Sequence, residues 1–453
     1  MSTAAESTKT FAAELATRLA ADNVADGQLA WLGKLRENAA ARFAELGFPG
    51  ARDEDWKYTS AGPVLRHVYR SALDSTPVFD RDAVVATINA LDPAPASAVA
   101  VFVDGVLTSE FSRGLTLDGN VVVGGLREHL ERAPQALEGR LGRTFDGSVH
   151  GFAALNSAHL SDGAVVRISR GTAGEAPIHL VFFSTAGGEQ QAIAAHPRNL
   201  IVLEAGSSAC VVEHYAGEPG VHLTNAATES VLERDASLSH LKLQREAEEA
   251  FHVHRIQVHQ DVASSYVSHS IALGAQLSRT EIHVTLAGEE AQCALQGLYA
   301  VGGTAHVDHH TTIDHAVART HSRELYKGIL DGQSRGVFTG KVRVRRDAQQ
   351  ISAEQTNKSL LLADGAVAET RPQLEIYADD VKCSHGAAIG RLDEEALFYL
   401  RQRGIGEAEA RSLMTYAFGN EVVETIEIGA LAATLEAIVR EQIGSAARGG
   451  KGA

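Results

Sequence analysis

Two short stretches carry residue types that bind metals. Near the end of the chain, Asp379-Asp380-Val381-Lys382-Cys383-Ser384-His385-Gly386 places a cysteine and a histidine two positions apart. In a strand, alternate side chains share a face. Cys383 and His385 would then point the same way, about 7 Å apart by strand rise. A soft thiolate beside an imidazole suits iron, copper or zinc. A closed tetrahedral site takes four ligands, so the pair reads as half a site, completed by another strand or another chain. The plainer alternative is a buried cysteine next to a surface histidine. The second stretch is His306-Val307-Asp308-His309-His310, followed by His315 and His321. On a strand, His306, Asp308 and His310 share a face, and such a set could serve a stand-alone mononuclear metalloenzyme using iron or zinc. His252 and His254 form a further same-face pair. With 20 histidines in the chain, some such spacing is expected. The favoured reading is therefore polar histidines on solvated strand faces or at a subunit contact.

Other chemistries find no support. The chain has no Gly-x-x-x-x-Gly-Lys-Ser/Thr loop, no Gly-x-Ser-x-Gly elbow and no His-Glu-x-x-His, so it is not itself a P-loop ATPase. The run Lys341-Val-Arg343-Val-Arg345-Arg346 could mimic the basic cluster of a β-helix polysaccharide lyase or hydrolase, but it alternates and is as easily a strand with one solvated face. Lys+Arg total 41 against 57 Asp+Glu, a net charge of −16. That balance argues against a broad nucleic-acid surface and against binding to anionic lipid. Hydrophobic residues make up 44% and charged residues 22%, ordinary for a globular protein. Cys210, Cys293 and Cys383 are too few and too scattered for a disulfide framework. A reducing, cytoplasmic setting without a signal peptide or membrane span is the expectation. Cys210 and Cys293 fall in strand-like runs and read as core residues.

The elements that must position these residues divide the chain into five. Residues 1–75 read as helical: Phe11, Leu15 and Leu19 recur every four, and Leu32, Leu35, Ala39, Phe43 and Leu46 every three or four. Glu54-Asp55-Trp56-Lys57-Tyr58-Thr59 follows, an aromatic pair read as an anchor at a domain junction. Residues 76–159 read as a connecting α/β segment, with a strand at Ala98 to Val103, a hairpin turn at Asp104-Gly105 and a helix ending before Pro134. Residues 160–391 are a succession of short β runs rich in Val, Ile, Thr, Ser and His, many about ten residues apart. A sandwich or a β-solenoid would fit. The length and only 10 prolines favour the solenoid. Residues 392–444 are helical, with apolar stripes at Ala410, Leu413-Met414, Ala417-Phe418 and at Ile428, Leu431, Leu435, Ile438, Val439. Residues 445–453 read as a disordered tail.

One long block goes further. His309 to His315, Ser322 to Leu330, Arg335 to Gly340, Gln355 to Leu362 and Pro372 to Gly386 together resemble the SufB/SufD family, scaffold subunits of the SUF iron–sulfur cluster assembly machinery. Glu54 to Thr59 and the Cys-Ser-His-Gly-Ala run are similar to the SufD branch, where the SufB branch tends to carry Glu in place of Gly386. Ala388 departs from the family's hydroxyl residue. The resemblance implies a mainly β fold, a right-handed parallel β-helix core flanked by N-terminal and C-terminal helical domains. It implies a non-catalytic subunit in a complex with a SufB-like paralogue and two copies of a SufC-like ATPase. It implies a transient iron–sulfur cluster at the SufB–SufD interface and none held tightly by the lone chain. Of the matching pair Cys383 and His385, it gives His385 the greater weight, with the key thiolate coming from the paralogue. It places the SufC contact on Arg411, Leu413, Met414, Ala417 and Phe418.

Overall fold

The computed structural model describes residues 29–50, 52–72, 78–91, 96–145, 147–174, 176–186 and 191–449. Its centre is a coil of strands laid into two facing sheets. One sheet runs, in spatial order, Val367–Ile376, Arg335–Val344, His306–His315, Leu277–Leu286, Phe251–Gln260, His222–Leu232, Arg198–Leu203, Ala164–Ile168 and Val121–Gly125. The other runs Val381–Gly390, Ile351–Leu361, His321–Leu330, Gln292–Val301, Ser265–Ala272, Ser237–Gln244, Ser208–Gly217, Ile178–Ser184, Ala98–Val103 and Val106–Leu107. From His222 onward the chain alternates between the sheets, so each rung gives one strand to each, and these neighbours pair in parallel. The core is therefore a parallel β-helix and not a sandwich. A rung is about 29 residues long: Leu277 pairs with His306, and His306 with Arg335.

The corners set this period. At one corner, successive rungs place Gly206, Asp235, Ala263, Glu290, Arg319 and Gln350 in the left-handed region, with φ between 55° and 68°. Such a residue reverses the chain tightly, at an energetic cost for anything but glycine. Between corners, strand alternation aims one set of side chains inward. Ile282, Val284, Leu286 and Ile313 from one sheet meet Leu238, Leu295 and Tyr326 from the other. Near the first rungs, Phe102, Phe182 and Tyr215 stack with centroids 4.9 and 4.7 Å apart.

Helices cover both outer faces. Phe43 on Ala30–Leu46 and Phe152 on Gly151–Ala158 pack with Trp56 on Phe251, Val253 and Leu277 of the first sheet. On the other side, Val422 of Glu407–Val423 joins Leu431, Leu435, Val439 and Ile443 of Gly429–Gly449 over Leu241, Ile271, Leu298 and Ile329. The helix Glu394–Gln402 opens on Asp393, whose side chain accepts from the backbone N–H groups of Glu395 and Ala396.

Several boundaries differ from the sequence reading. Ala98–Val103 pairs in parallel with Ile178–Ser184, so the core takes its first strands from the segment read as a connector. Residues 47–72 are short 3-10 turns and one strand, Tyr69–Ser71, rather than helix. Gly47, Pro49 and Gly50 break the helical pattern there. The stripe at Phe11, Leu15 and Leu19 lies outside the described residues. The last helix runs through Gly449, past the expected start of the tail at 445. The hairpin turn at Asp104-Gly105 forms as read, with both residues at positive φ and Val103 paired to Val106. Among the described residues, no helix is long and apolar enough to cross a membrane.

Candidate functional site

Val381–Gly390 is the last strand of its sheet, and among the described residues its only strand neighbour is Ile351–Leu361. Cys383 and His385 lie on its inward-facing side, in register with Ala353 and Gln355. They share a face as the spacing requires. Their surroundings differ. Cys383 is half-buried against the apolar group of Val342, Ile351 and Ala353, and burial pushes its thiol pKa up. His385 is exposed, and its side chain makes no hydrogen bond among the described residues. Exposed apolar side chains surround this end: Val367, Ile376, Tyr377 and Ile389. Among the described residues, no group of three His, Cys, Asp or Glu side chains has the geometry to hold a metal ion.

His306, Asp308 and His310 share the outer face of His306–His315, but other partners occupy them. Asp308 binds the Arg279 guanidinium and accepts a 2.5 Å hydrogen bond from the Thr59 hydroxyl. The same hydroxyl lies 3.2 Å from His306 Nε2. His310 Nδ1 lies 3.2 Å from Arg279. Arg279 also binds Glu281, which takes a 2.8 Å contact from His150 and a 2.9 Å hydrogen bond from Arg255. Trp56 closes the group, with the Arg279 guanidinium 4.1 Å from its ring centroid. Burial draws the His306 pKa down to about 4 and lowers that of His310, where Arg279 adds to the effect. Asp308 and His310 are buried and His306 half-buried, rather than solvated. They fasten the Glu54 to Thr59 segment onto the sheet, which fits the reading of Trp56 as a junction anchor.

His252 and His254 point inward, into a part of the coil that is polar. His252 Nδ1 lies 2.7 Å from Glu246, and His254 Nε2 lies 3.0 Å from the Thr228 hydroxyl. Lys242 donates to Thr280 at 2.7 Å, and burial pulls its pKa down to about 7. Burial alone would raise the Glu213 carboxyl, but His240 and His254 hold it well below the usual range. Cys293 is a core residue as expected. Cys210 is half-buried under the C-terminal helices, its thiol raised to about 11 by burial. Val342 and Val344 are buried with Arg343 exposed, so the Lys341 to Arg346 run does have one solvated side.

The expected docking stripe splits. On Glu407–Val423, Leu413 and Ala417 are exposed, while Arg411, Met414 and Phe418 are half-buried. Arg411 reaches the Leu362 carbonyl at 3.5 Å. Phe418 lies beneath Lys327, whose ammonium is 4.4 Å from the ring centroid and donates to the Phe418 carbonyl at 2.8 Å. The sequence reading missed Phe398 and Tyr399 on the neighbouring helix, which are 60% and 56% exposed. It also missed Glu324 and Gln355, which lie inward of His385. Their signal was the inward parity they share with Ala353 and Ser322 along strands too polar to read as core.

Comparison with known proteins agrees with this architecture. Residues 183–418 match the family described as SUF system FeS cluster assembly, SufBD core domain, and residues 12–180 match the SufBD protein N-terminal region. The chain is 31% identical over 419 residues to an iron–sulfur cluster assembly SufBD family protein of Synechocystis, covering 89% of each. It is 29% identical over 404 residues to the iron–sulfur cluster assembly protein SufD of Escherichia coli, covering 89% of this chain and 91% of that one. It is 30% identical to the chloroplastic protein ABCI7 of Arabidopsis thaliana, covering 87% and 82%. With an alternating two-sheet coil and near-full-length matches of this kind, the chain belongs to the SufBD family of the SUF iron–sulfur cluster assembly system, and it is SufD-like.

Proposed function

We propose that the chain is a non-catalytic scaffold subunit of a SufBCD-type complex in the cytoplasm, and that iron and sulfide are assembled into a nascent cluster where it meets a SufB-like paralogue. One observation carries this reading. Cys383 and His385 lie on a terminal strand whose outer edge has no strand partner among the described residues, ringed by exposed Val367, Ile376, Tyr377 and Ile389. An uncovered apolar strand edge is a template for pairing with another chain, and an apolar patch with polar surroundings marks an interaction surface. His385, exposed and unpaired, is the ligand this chain offers to the cluster. Cys383 stands beside it, with the principal thiolate supplied by the paralogue.

The helix Glu407–Val423, with exposed Leu413 and Ala417 beside Phe398 and Tyr399, is the docking face for a SufC-like ATPase, two copies of which serve the complex. Hydrolysis is the partner's work. This helix is tied to the coil through Lys327, so movement of docked ATPase subunits would pull on the sheet that carries His385. Replacing His385 by Ala in the co-expressed complex tests the site. Iron–sulfur output should fall at least about tenfold, and unchanged output would remove His385 from the mechanism. Affinity capture with mass spectrometry tests the assembly: recovery of the chain alone, with one tightly bound metal, would overturn the scaffold reading.

A further inference from the structure

One rung inward from His385 lies a buried amide whose oxygen has no hydrogen-bond partner. Gln355 is in register with His385 on the adjacent strand, a spacing of about 4.8 Å. Its side chain is inside the coil, with 1% of its surface exposed. Gln355 Nε2 donates to Glu324 Oε2 at 2.6 Å. With the amide in this orientation, Oε1 is a buried acceptor without a partner. Buried polar atoms are almost always paired, so an orphan acceptor directly beneath an exposed imidazole points to the donor it lacks.

The facing sheet is shaped around this amide. Gly340 lies on the opposite wall, and a Cβ placed there would come within 2.4 Å of Gln355 Nε2. Glycine at that position leaves the amide room to keep its orientation. On the side of Glu324, burial favours the neutral carboxyl, with Thr311 and Gln355 opposing. His385, Gln355 and Glu324 thus form a column of inward-facing residues on three successive strands. The outer member is a candidate ligand, and the inner two are held by protein.

We propose that Gln355 is a positioning residue for His385: when the exposed imidazole turns inward, the Gln355 amide oxygen accepts a ring N–H of His385, leaving the other ring nitrogen aimed out of the open end, and Glu324 holds the amide in the orientation this requires. Metal-ligating histidines almost always donate their second ring N–H to an oxygen, which fixes tautomer and ring direction. The inference rests on the reading of His385 as a ligand, but it makes a separate claim about a hydrogen bond within this chain.

The test uses the full chain, alone and in its co-expressed complex, with ring-15N histidine labelling and His385→Ala to assign the His385 resonances. At pH 8 the wild-type ring should be held in one neutral tautomer. Gln355→Leu should move it toward the ratio of free imidazole and lower iron–sulfur output about 10- to 100-fold. Gly340→Ala, which displaces the amide, should do the same by a second route. The exchange Glu324→Gln with Gln355→Glu keeps an oxygen beneath His385 and should restore both readouts. An unchanged tautomer ratio in Gln355→Leu overturns the proposal, and so does a loss of output that the exchange fails to rescue. If His385→Ala leaves output intact, the ligand reading falls, while the tautomer measurement still decides whether the hydrogen bond exists.

Discussion

The two ends of the coil are finished in opposite ways. At the first, the sheets stop on antiparallel strands: Val106–Leu107 folds back on Ala98–Val103, and Val121–Gly125 runs against Ala164–Ile168. Every residue of Ala98–Val103 is buried. At the other, Val367–Ile376 and Val381–Gly390 each have, among the described residues, a strand on one side only, and no residue of Val381–Gly390 is fully buried. Proteins that live alone cap, charge or twist their strand edges. This chain does so at one end and, among the described residues, leaves the other apolar and without an antiparallel cap. The same strand geometry thus serves closure at one end and, on the proposed assembly, recognition at the other.

The comparison breaks most sharply at the open end. Ile376→Lys together with Ile389→Lys places two charges on the exposed apolar ring. Capture of the SufB-like paralogue should weaken about 100-fold or more, while the unfolding free energy of the lone chain moves by less than about 1 kcal/mol. A complex that survives both lysines would show that the partner sits elsewhere. The closed end should give the reverse. Phe102→Ala removes the first ring of the Phe102, Phe182, Tyr215 stack, and denaturant titration should show a loss of about 3–5 kcal/mol. A loss under 1 kcal/mol would mean the first rungs contribute little to the fold.

Two inward carboxyl groups sharpen the contrast with opposite pH slopes. Glu213, deep in the coil, is held ionised below its ordinary range. Its contribution is present above the unfolded pKa, near 4.5, and is lost as pH falls. Glu324, toward the open end, is pushed up to about 7 by burial. Its folded pKa lies above the unfolded one, so its contribution is complete below about pH 4.5 and fades as pH rises to 7. Glu324→Gln should therefore gain on wild type between pH 4.5 and 8 by on the order of 3 kcal/mol. Paired denaturation curves at the two pH values measure it, and a constant difference would refute the assignment. The smallest effect concerns the strut to the helix Glu407–Val423. Lys327→Met leaves the Phe418 carbonyl without its donor, for about 1–3 kcal/mol. Hydrogen exchange should rise in Glu407–Val423 and not at the closed end. Uniform exchange across both would show that Lys327 does not tether the helix.

The sequence carried the fold class through its short β runs and its few prolines, but not the period. The reason lies in the corners. The left-handed position is filled in turn by Gly206, Asp235, Ala263, Glu290, Arg319 and Gln350, so geometry repeats where residue type does not. The strands Ile351–Leu361 and His321–Leu330 were hidden by inward Ser322, Glu324, Gln355 and Asn357, which break the apolar alternation that marks a core strand. Of the site, Cys383 and His385 were legible by spacing alone. The columns beneath them were not, because residues 31 or 30 positions apart meet only through register. The same limit applies to His306, Asp308 and His310. Their parity was right, but their binding to Arg279 and Thr59 depends on rung-to-rung and outer-face packing that local spacing does not encode.

The half-finished coil makes abundance a physical variable. On the proposed assembly, a strand edge ringed by exposed Val367, Ile376, Tyr377 and Ile389 is open to the paralogue and to a second copy of the same chain. Whichever is in excess meets its own kind more often, by mass action. The balanced output of two genes would then complete the structure as surely as the folding of either product. The closed end, with its antiparallel caps, carries no such dependence.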